Sequence, residues 1–128
     1  MRYRPEQHLR RQAEITAVRE KGRRVDCGAF TLWWILRPAE VGAETIGPRA
    51  CFVASIAAVG NSVERTRAKR RLRELFRIHQ LRIPPIVDLM LIARRSGNQL
   101  EYKELEKRFL ESCERVGQQV AKVRKAAG

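Results

Sequence analysis

The chain has 128 residues, 44% of them hydrophobic, with 27 Lys and Arg against 14 Asp and Glu for a formal net charge of +13. That length fits one domain around one core, and that apolar content excludes a disordered basic tail. A positive excess of this size opposes compaction, so it points to a polyanionic partner. Nucleic acid stands before an anionic membrane surface, because no long apolar segment or amphipathic anchor is read.

In chain order, the charged start "MRYRPEQHLRR" lacks the apolar stretch of a secretory leader, so a cytoplasmic protein is expected. "RRQAEITAVREKG" reads as a short helix with Ile15 and Val18 on one face and Gly22 as its stop. "CGAFTLWWIL" reads as a strand, with Phe30, Leu32, Trp34 and Leu36 on one face and Thr31, Trp33 and Ile35 on the other. "RPAEVGAETIGPR" is expected to be a hairpin connection into a second strand, "ACFVASIAAVG", ending at Gly60. A basic helix follows, and Pro84 and Pro85 bar its continuation. "IVDLMLIAR" is a third, mostly buried strand, "RRSGNQ" a loop, and from Leu100 a long helix carries the stripe Tyr102, Leu105, Phe109, Cys113, Val116, Val120 and Val123. The order predicts a single α+β domain over 1–128, with an ordered core at about 9–116 and a short basic tail at 121–128. The stripe is expected to pack within the chain, giving a monomer apart from any RNA. Cys27, Cys51 and Cys113 are odd in number and form no Cys-x-x-Cys pair, which favours three reduced thiols over a zinc site or a disulfide framework.

The segment "GNSVERTRAKRRLRELFR" carries the strongest functional signal. Asn61 and Glu64 make a capping-box pattern. Ala68, Leu72, Leu75, Phe76 and His79 fall on one side of the helix, while Thr66, Arg70, Arg73 and Arg77 form a stripe away from it, with Lys69 beside the stripe. Arg65 and Arg67 lie in or near the first turn, where the helix dipole disfavours cations. Arg70, Arg73 and Arg77 are like-charge neighbours, which costs roughly 0.2–0.5 kcal/mol per pair. A helix start with exposed N–H groups and clustered guanidinium groups is a phosphate site, and a local rule broken in this way marks function. From Arg65 to Arg77 arginines outnumber lysines six to one, which suits a structured nucleic acid. RNA and DNA are not separated by charge alone, although no second helix stands upstream to make a helix-turn-helix.

Chemistry by the polypeptide itself is not expected. The two Asp residues, Asp26 and Asp88, stand in separate strand contexts, and the twelve Glu residues lie mostly in helices and connections. His8 and His79 are the only imidazoles, and no nucleophilic triad, Gly-rich phosphate loop or metal-ligand spacing is present.

The sequence resembles the protein component of bacterial ribonuclease P. "VGNSVERTRAKRRLRELFR" is similar to that family's Arg-Asn-Arg motif helix and "DLMLIARR" to its third central strand, while "HLRRQAEITAVREKGRR" with "FTLWW" looks like its first helix and strand. The resemblance implies an α-β sandwich with a left-handed βαβ crossover. It implies a partner, the catalytic RNA, which with Mg2+ removes the 5′ leader of precursor tRNA, and no catalytic residue or intrinsic metal site in the protein. It places RNA binding on Arg65, Thr66, Arg67, Lys69, Arg70, Arg73 and Arg77, and a leader-binding cleft on Ile15, Arg19 and Trp33. Three departures stand out: Thr66 replaces the motif's Asn, Ala57 and Ala58 replace a lysine pair, and Ile15 and Arg19 occupy two cleft Phe positions. Arg19 could replace a stacking ring with its guanidinium plane or contact phosphate. Trp33 reads equally as core or as a base platform, whereas Trp34 reads as core. The alternative functions are a noncatalytic structural RNA-binding protein, such as a ribosomal or assembly factor, and a basic DNA-binding module.

Overall fold

The computed structural model describes residues 7–37 and 47–127. The elements in chain order are α1 (Gln12–Lys21), β1 (Arg23–Asp26), β2 (Phe30–Leu36), β3 (Arg49–Val53), α2 (Ser62–His79), a single 3-10 turn (Gln80–Arg82), β4 (Val87–Ala93), a short α3 (Arg95–Gln99) and α4 (Tyr102–Ala127). The four strands form one sheet in the order β1-β2-β4-β3. β1–β2 and β2–β4 pair antiparallel, and β3–β4 pair parallel, so β3, α2 and β4 make a βαβ unit.

Each face of the sheet has its own cover. The Phe30, Leu32 and Trp34 face joins Leu89 and Leu91 of β4 and packs against Leu72, Leu75 and Phe76 of α2 and Leu105, Phe109, Cys113, Val116 and Val120 of α4. The opposite face, with Trp33, Ile35, Met90 and Ile92, packs against Ile15 and Val18 of α1 and against Leu9. Strand alternation read from "FTLWWIL" therefore places the right residues on the right faces. β4 lies between two neighbours and beneath helices on both faces, which explains its nearly continuous apolar run. The indole N–H of Trp34 donates to Gln119 Oε1 at 2.7 Å, so this core ring ties the far half of α4 to the sheet.

Four expectations are corrected. β2 and β3 are not a hairpin, because β4 stands between them; the segment 38–46 that joins them lies outside the described residues. The hairpin is instead β1–β2, a strand pair whose first member, "RRVD", is too short and charged to show a period. Its loop turns on Gly28 at φ 83°, a conformation that favours glycine. The second expected strand stops at Val53, and residues 56–59 form a turn rather than continuing to Gly60. "RRSGNQ" is a short helix, α3, rather than a loop, and Tyr102 is exposed rather than part of the buried stripe. α3 packs so closely on the β1–β2 loop that a Cβ on Gly97 would meet the Ala29 carbonyl oxygen at 2.0 Å.

A buried ion-pair chain fixes α1 to the sheet. Asp88 of β4 accepts from Arg37 at 3.1 Å and from Arg49 of β3 at 2.7 Å, and Arg49 reaches on to Glu14 of α1. The Arg37 side chain is fully buried and that of Asp88 is 6% exposed. Burial pushes the Arg37 guanidinium down, while Asp88 pulls it back up. Its hydrogen bond to Asp88 is the main reason the Arg49 guanidinium is raised. Asp88 is thereby a structural carboxylate, which accounts for one of the chain's two aspartates.

Candidate nucleic-acid interface

α2 starts where the sequence predicts. Asn61 is the N-cap, and its side-chain oxygen accepts from the Glu64 N–H at 2.9 Å. Ala68, Leu72, Leu75 and Phe76 are buried and seat the helix on the sheet. Removing a side chain such as Leu72 from this seat would cost about 2–5 kcal/mol. His79, at the edge of that side, is half-buried, bonded to Glu106 at 2.8 Å and stacked beside Phe109. The bond ties α2 to α4 and leaves the imidazole facing away from the arginine stripe.

The charged side chains of α2 fall into two groups. Thr66, Arg70 and Arg73 are exposed and Arg77 is half-buried, so the stripe faces outward. Arg73 lies over the Phe52 ring of β3 at 5.6 Å, and Arg77 pairs with Glu74, its Nε donating at 3.0 Å. That pairing holds the Glu74 carboxyl below the usual carboxylate range and raises Arg77. No side-chain hydrogen bond or ion pair among the described residues engages Arg70. Lys69 is half-buried at the flank. Arg65 is also half-buried, and its Nε is enclosed without a hydrogen-bond partner among the described residues.

Arg67 is differently placed. It turns toward α3 and donates to the Asn98 carbonyl, while Arg71 one turn later donates to the carbonyls of Asn98 at 3.1 Å and Leu100 at 2.6 Å. Asn98 is buried and donates from its side chain to the Glu64 carbonyl at 3.1 Å. Arg67 and Arg71 therefore stabilise the C-terminal end of α3 with cations, which its dipole favours. Burial, and then the neighbouring Arg67 charge, push the Arg71 guanidinium down. Both acceptors are neutral carbonyls, so the charge of the two arginines is not cancelled. Arg71 was visible in the sequence only as one more base in the run; its partner helix was the missing information.

On the other face of the sheet, Ile15, Arg19 and Trp33 come together. Ile15 and half-buried Trp33 share the apolar cluster under α1, and the Arg19 guanidinium sits over the Trp33 ring at 5.5 Å. Trp33 is thus neither a wholly buried core residue nor a bare platform, since a cation covers one of its faces. An open groove of about 680 Å³ runs along the other flank of α1, where Arg10, Arg11 and Lys21 stand over Ile35 and Leu36. The basic helix and the α1 side are separated by the sheet, so the two candidate surfaces sit on opposite faces of one rigid layer.

The described residues offer no protein-held metal site: no three His, Cys, Asp or Glu side chains gather among them. Burial pushes the Cys51 thiol up to about 11 and the Cys113 thiol up to about 12, which makes both poor nucleophiles and poor metal ligands. No described helix is long and apolar enough to cross a membrane.

Known proteins share this fold. The ribonuclease P family model matches residues 3–117. A ribonuclease P protein component from Desulfatibacillum aliphaticivorans is 34% identical over 99 residues, covering 77% of this chain and 78% of that relative. The RNase P protein of Staphylococcus aureus superposes with a TM-score of 0.67 at 25% identity, over 91% of this chain and 96% of the other. That of Thermotoga maritima gives a TM-score of 0.72 at 19% identity, over 84% of this chain and 96% of the other, a likeness of fold.

Proposed function

Because the chain belongs to the ribonuclease P protein component family, and so is a subunit of the ribonuclease P endoribonuclease ribonucleoprotein, we propose that its two faces hold two different RNAs. In this assignment the α2 face holds the catalytic RNA and the α1 face holds the single-stranded leader of precursor tRNA. The observation that carries it is the division of labour within α2. Its apolar side seats the helix, Arg67 and Arg71 bind neutral carbonyls, and Thr66, Arg70 and Arg73 are left facing outward with Lys69 at the flank.

The guanidinium groups of this helix do the work of positioning. Arg73 lies over Phe52, Arg67 and Arg71 are held by α3, and Arg70 is exposed between them. Forked donors fixed in this way lose little rotamer freedom when phosphate oxygens arrive. Thr66 offers a hydroxyl where an amide stands in the family motif, enough for one hydrogen bond to a phosphate or ribose oxygen. On the α1 face, Arg19 and Trp33 act as a stacked pair. A leader base stacks on the exposed guanidinium plane, and the indole beneath holds that plane in orientation.

Bond cleavage belongs to the RNA partner, and Mg2+ is held with it rather than by this chain; one subunit per catalytic RNA, acting in the cytoplasm, completes the proposal. The test compares the holoenzyme's affinity for precursor tRNA with its affinity for a substrate lacking the leader. A preference for the leader that requires this protein supports the assignment. Equal affinity for both substrates with and without the protein refutes the leader role and favours a purely structural RNA-binding protein.

A further inference from the structure

Resting on the RNA-binding function above, we propose that the β1–β2 turn carries a second phosphate-contacting surface, built from Arg24, Arg94 and Arg115 around Asp26. It is continuous with the start of α2 through α3.

Four arginines converge on two consecutive residues. The Asp26 carboxylate accepts from Arg24 at 2.8 Å, from Arg94 at 3.1 Å and from the Gly28 N–H at 2.8 Å. The Asp26 carbonyl accepts from Arg115 at 3.2 Å and the Cys27 carbonyl from Arg108 at 3.0 Å. Arg108 also pairs with Glu104. That leaves the guanidinium groups of Arg24 and Arg94 on a single carboxylate, which is lowered chiefly by the Gly28 N–H, and Arg115 on a carbonyl alone. Closing the hairpin explains Asp26, Gly28 and the contacts that reach in from β4 and α4. It does not explain Arg24, which sits two residues from Asp26 on the same edge strand, stands opposite Trp33 in the β1–β2 ladder and has its side chain 48% exposed.

Position strengthens the case. β2 begins at Phe30 opposite Ala93, and β3 ends at Val53 opposite Ile92, so the β1–β2 turn and the start of α2 lie at the same end of the sheet. Across four strands that end spans about 14 Å. α3 fills the gap. Its Ser96 hydroxyl donates to the Gly28 carbonyl at 2.8 Å, Arg95 Nε donates to the Val59 carbonyl at 3.3 Å, and the Asn98 carbonyl takes Arg67. Along this edge Arg67, Arg95 and Arg115 are anchored by neutral carbonyls, while Arg24 and Arg94 share the one Asp26 carboxylate, so positive charge stays in excess. Guanidinium groups held in place in this way suit bidentate contact with phosphate.

The experiment measures affinity for a bacterial ribonuclease P RNA against salt, for the full chain and for R24Q/R115Q. Each lost phosphate contact should lower the slope of log affinity against log salt by roughly 0.7–0.9. The double variant is therefore expected to lose about 1.4–1.8 from that slope, and R24K/R115K to keep it. Thermal unfolding is followed in parallel, and R24Q alone, which removes only an exposed local contact, should lose about one phosphate's worth if the double variant proves unstable. An unchanged slope and affinity in a folded R24Q variant overturns the proposal. If R70Q on α2 weakens binding while the turn variants do not, this surface fails and the function above stands. If the unmodified chain does not bind the RNA, the function itself fails, and the second surface with it.

Discussion

Replacing Arg19 by Ala isolates the feature that most distinguishes this cleft. The guanidinium lies 5.5 Å from the Trp33 ring centroid. An exposed contact of this kind contributes about 0.5–1 kcal/mol, so R19A should barely change stability. Leader affinity is a different matter. If the guanidinium is the surface on which a leader base stacks, its loss removes a contact of about 1–3 kcal/mol, roughly fivefold to 150-fold in affinity. The lower end is expected, because R19A uncovers the Trp33 face and a base can then stack there. The assay is the ratio of holoenzyme affinities for precursor with and without leader. R19A should reduce this ratio about fivefold to tenfold, R19K less if phosphate attraction dominates, and R19A/W33A to the upper end of the range. A ratio unchanged in both R19A and R19A/W33A refutes the idea that this pair reads the leader.

Three further outcomes follow from the same geometry. D88N should remove the carboxylate shared by Arg37 and Arg49 and destabilise the chain by about 3–5 kcal/mol; at about 2.1 cal/mol/K per residue this is a Tm loss of roughly 11–19 °C by calorimetry. N61A removes the helix cap made to the Glu64 N–H and should cost about 1 kcal/mol, or roughly 4 °C in Tm. The Asp26 carboxyl is lowered from 3.8, chiefly by the Gly28 N–H, so its contribution is present above that value and is lost as pH falls through the lowered one. D26N should therefore be less stable than the unmodified chain at pH 6–8, with no added pH dependence there, and should lose part of the low-pH limb in an acid titration; an acid limb identical to that of the unmodified chain contradicts the Asp26 hub.

Much of the molecule was legible before its structure. "FTLWWIL" announced both faces of β2 through strict alternation, and the N-cap at Asn61 with the apolar series from Ala68 to Phe76 placed α2. What escaped depends on contacts distant in sequence. β4 inserts between β2 and β3, and no local pattern records that a later strand will divide two earlier ones. The charged β1 shows no period because it is short and lies at the sheet edge. α3 is only five residues long and owes its stability to Arg67 and Arg71 of another helix. The same contact shows that Arg67, a candidate for RNA binding in the sequence, also binds its own chain, which no local pattern records. The Arg19–Trp33 stack lay between these extremes: both residues were candidates, but only tertiary packing of α1 on β2 brings them face to face.

The central claim, that this polypeptide binds and its RNA partner cleaves, meets its most direct test in reconstitution. Cleavage of precursor tRNA is measured at low Mg2+ with the catalytic RNA alone, the protein alone, and the two together. The account predicts slow or no cleavage by the RNA alone, none by the protein alone, and strong stimulation of the pair that is weakened by R70Q on α2. Cleavage by the purified protein without RNA, or a pair no faster than the RNA alone, would contradict it.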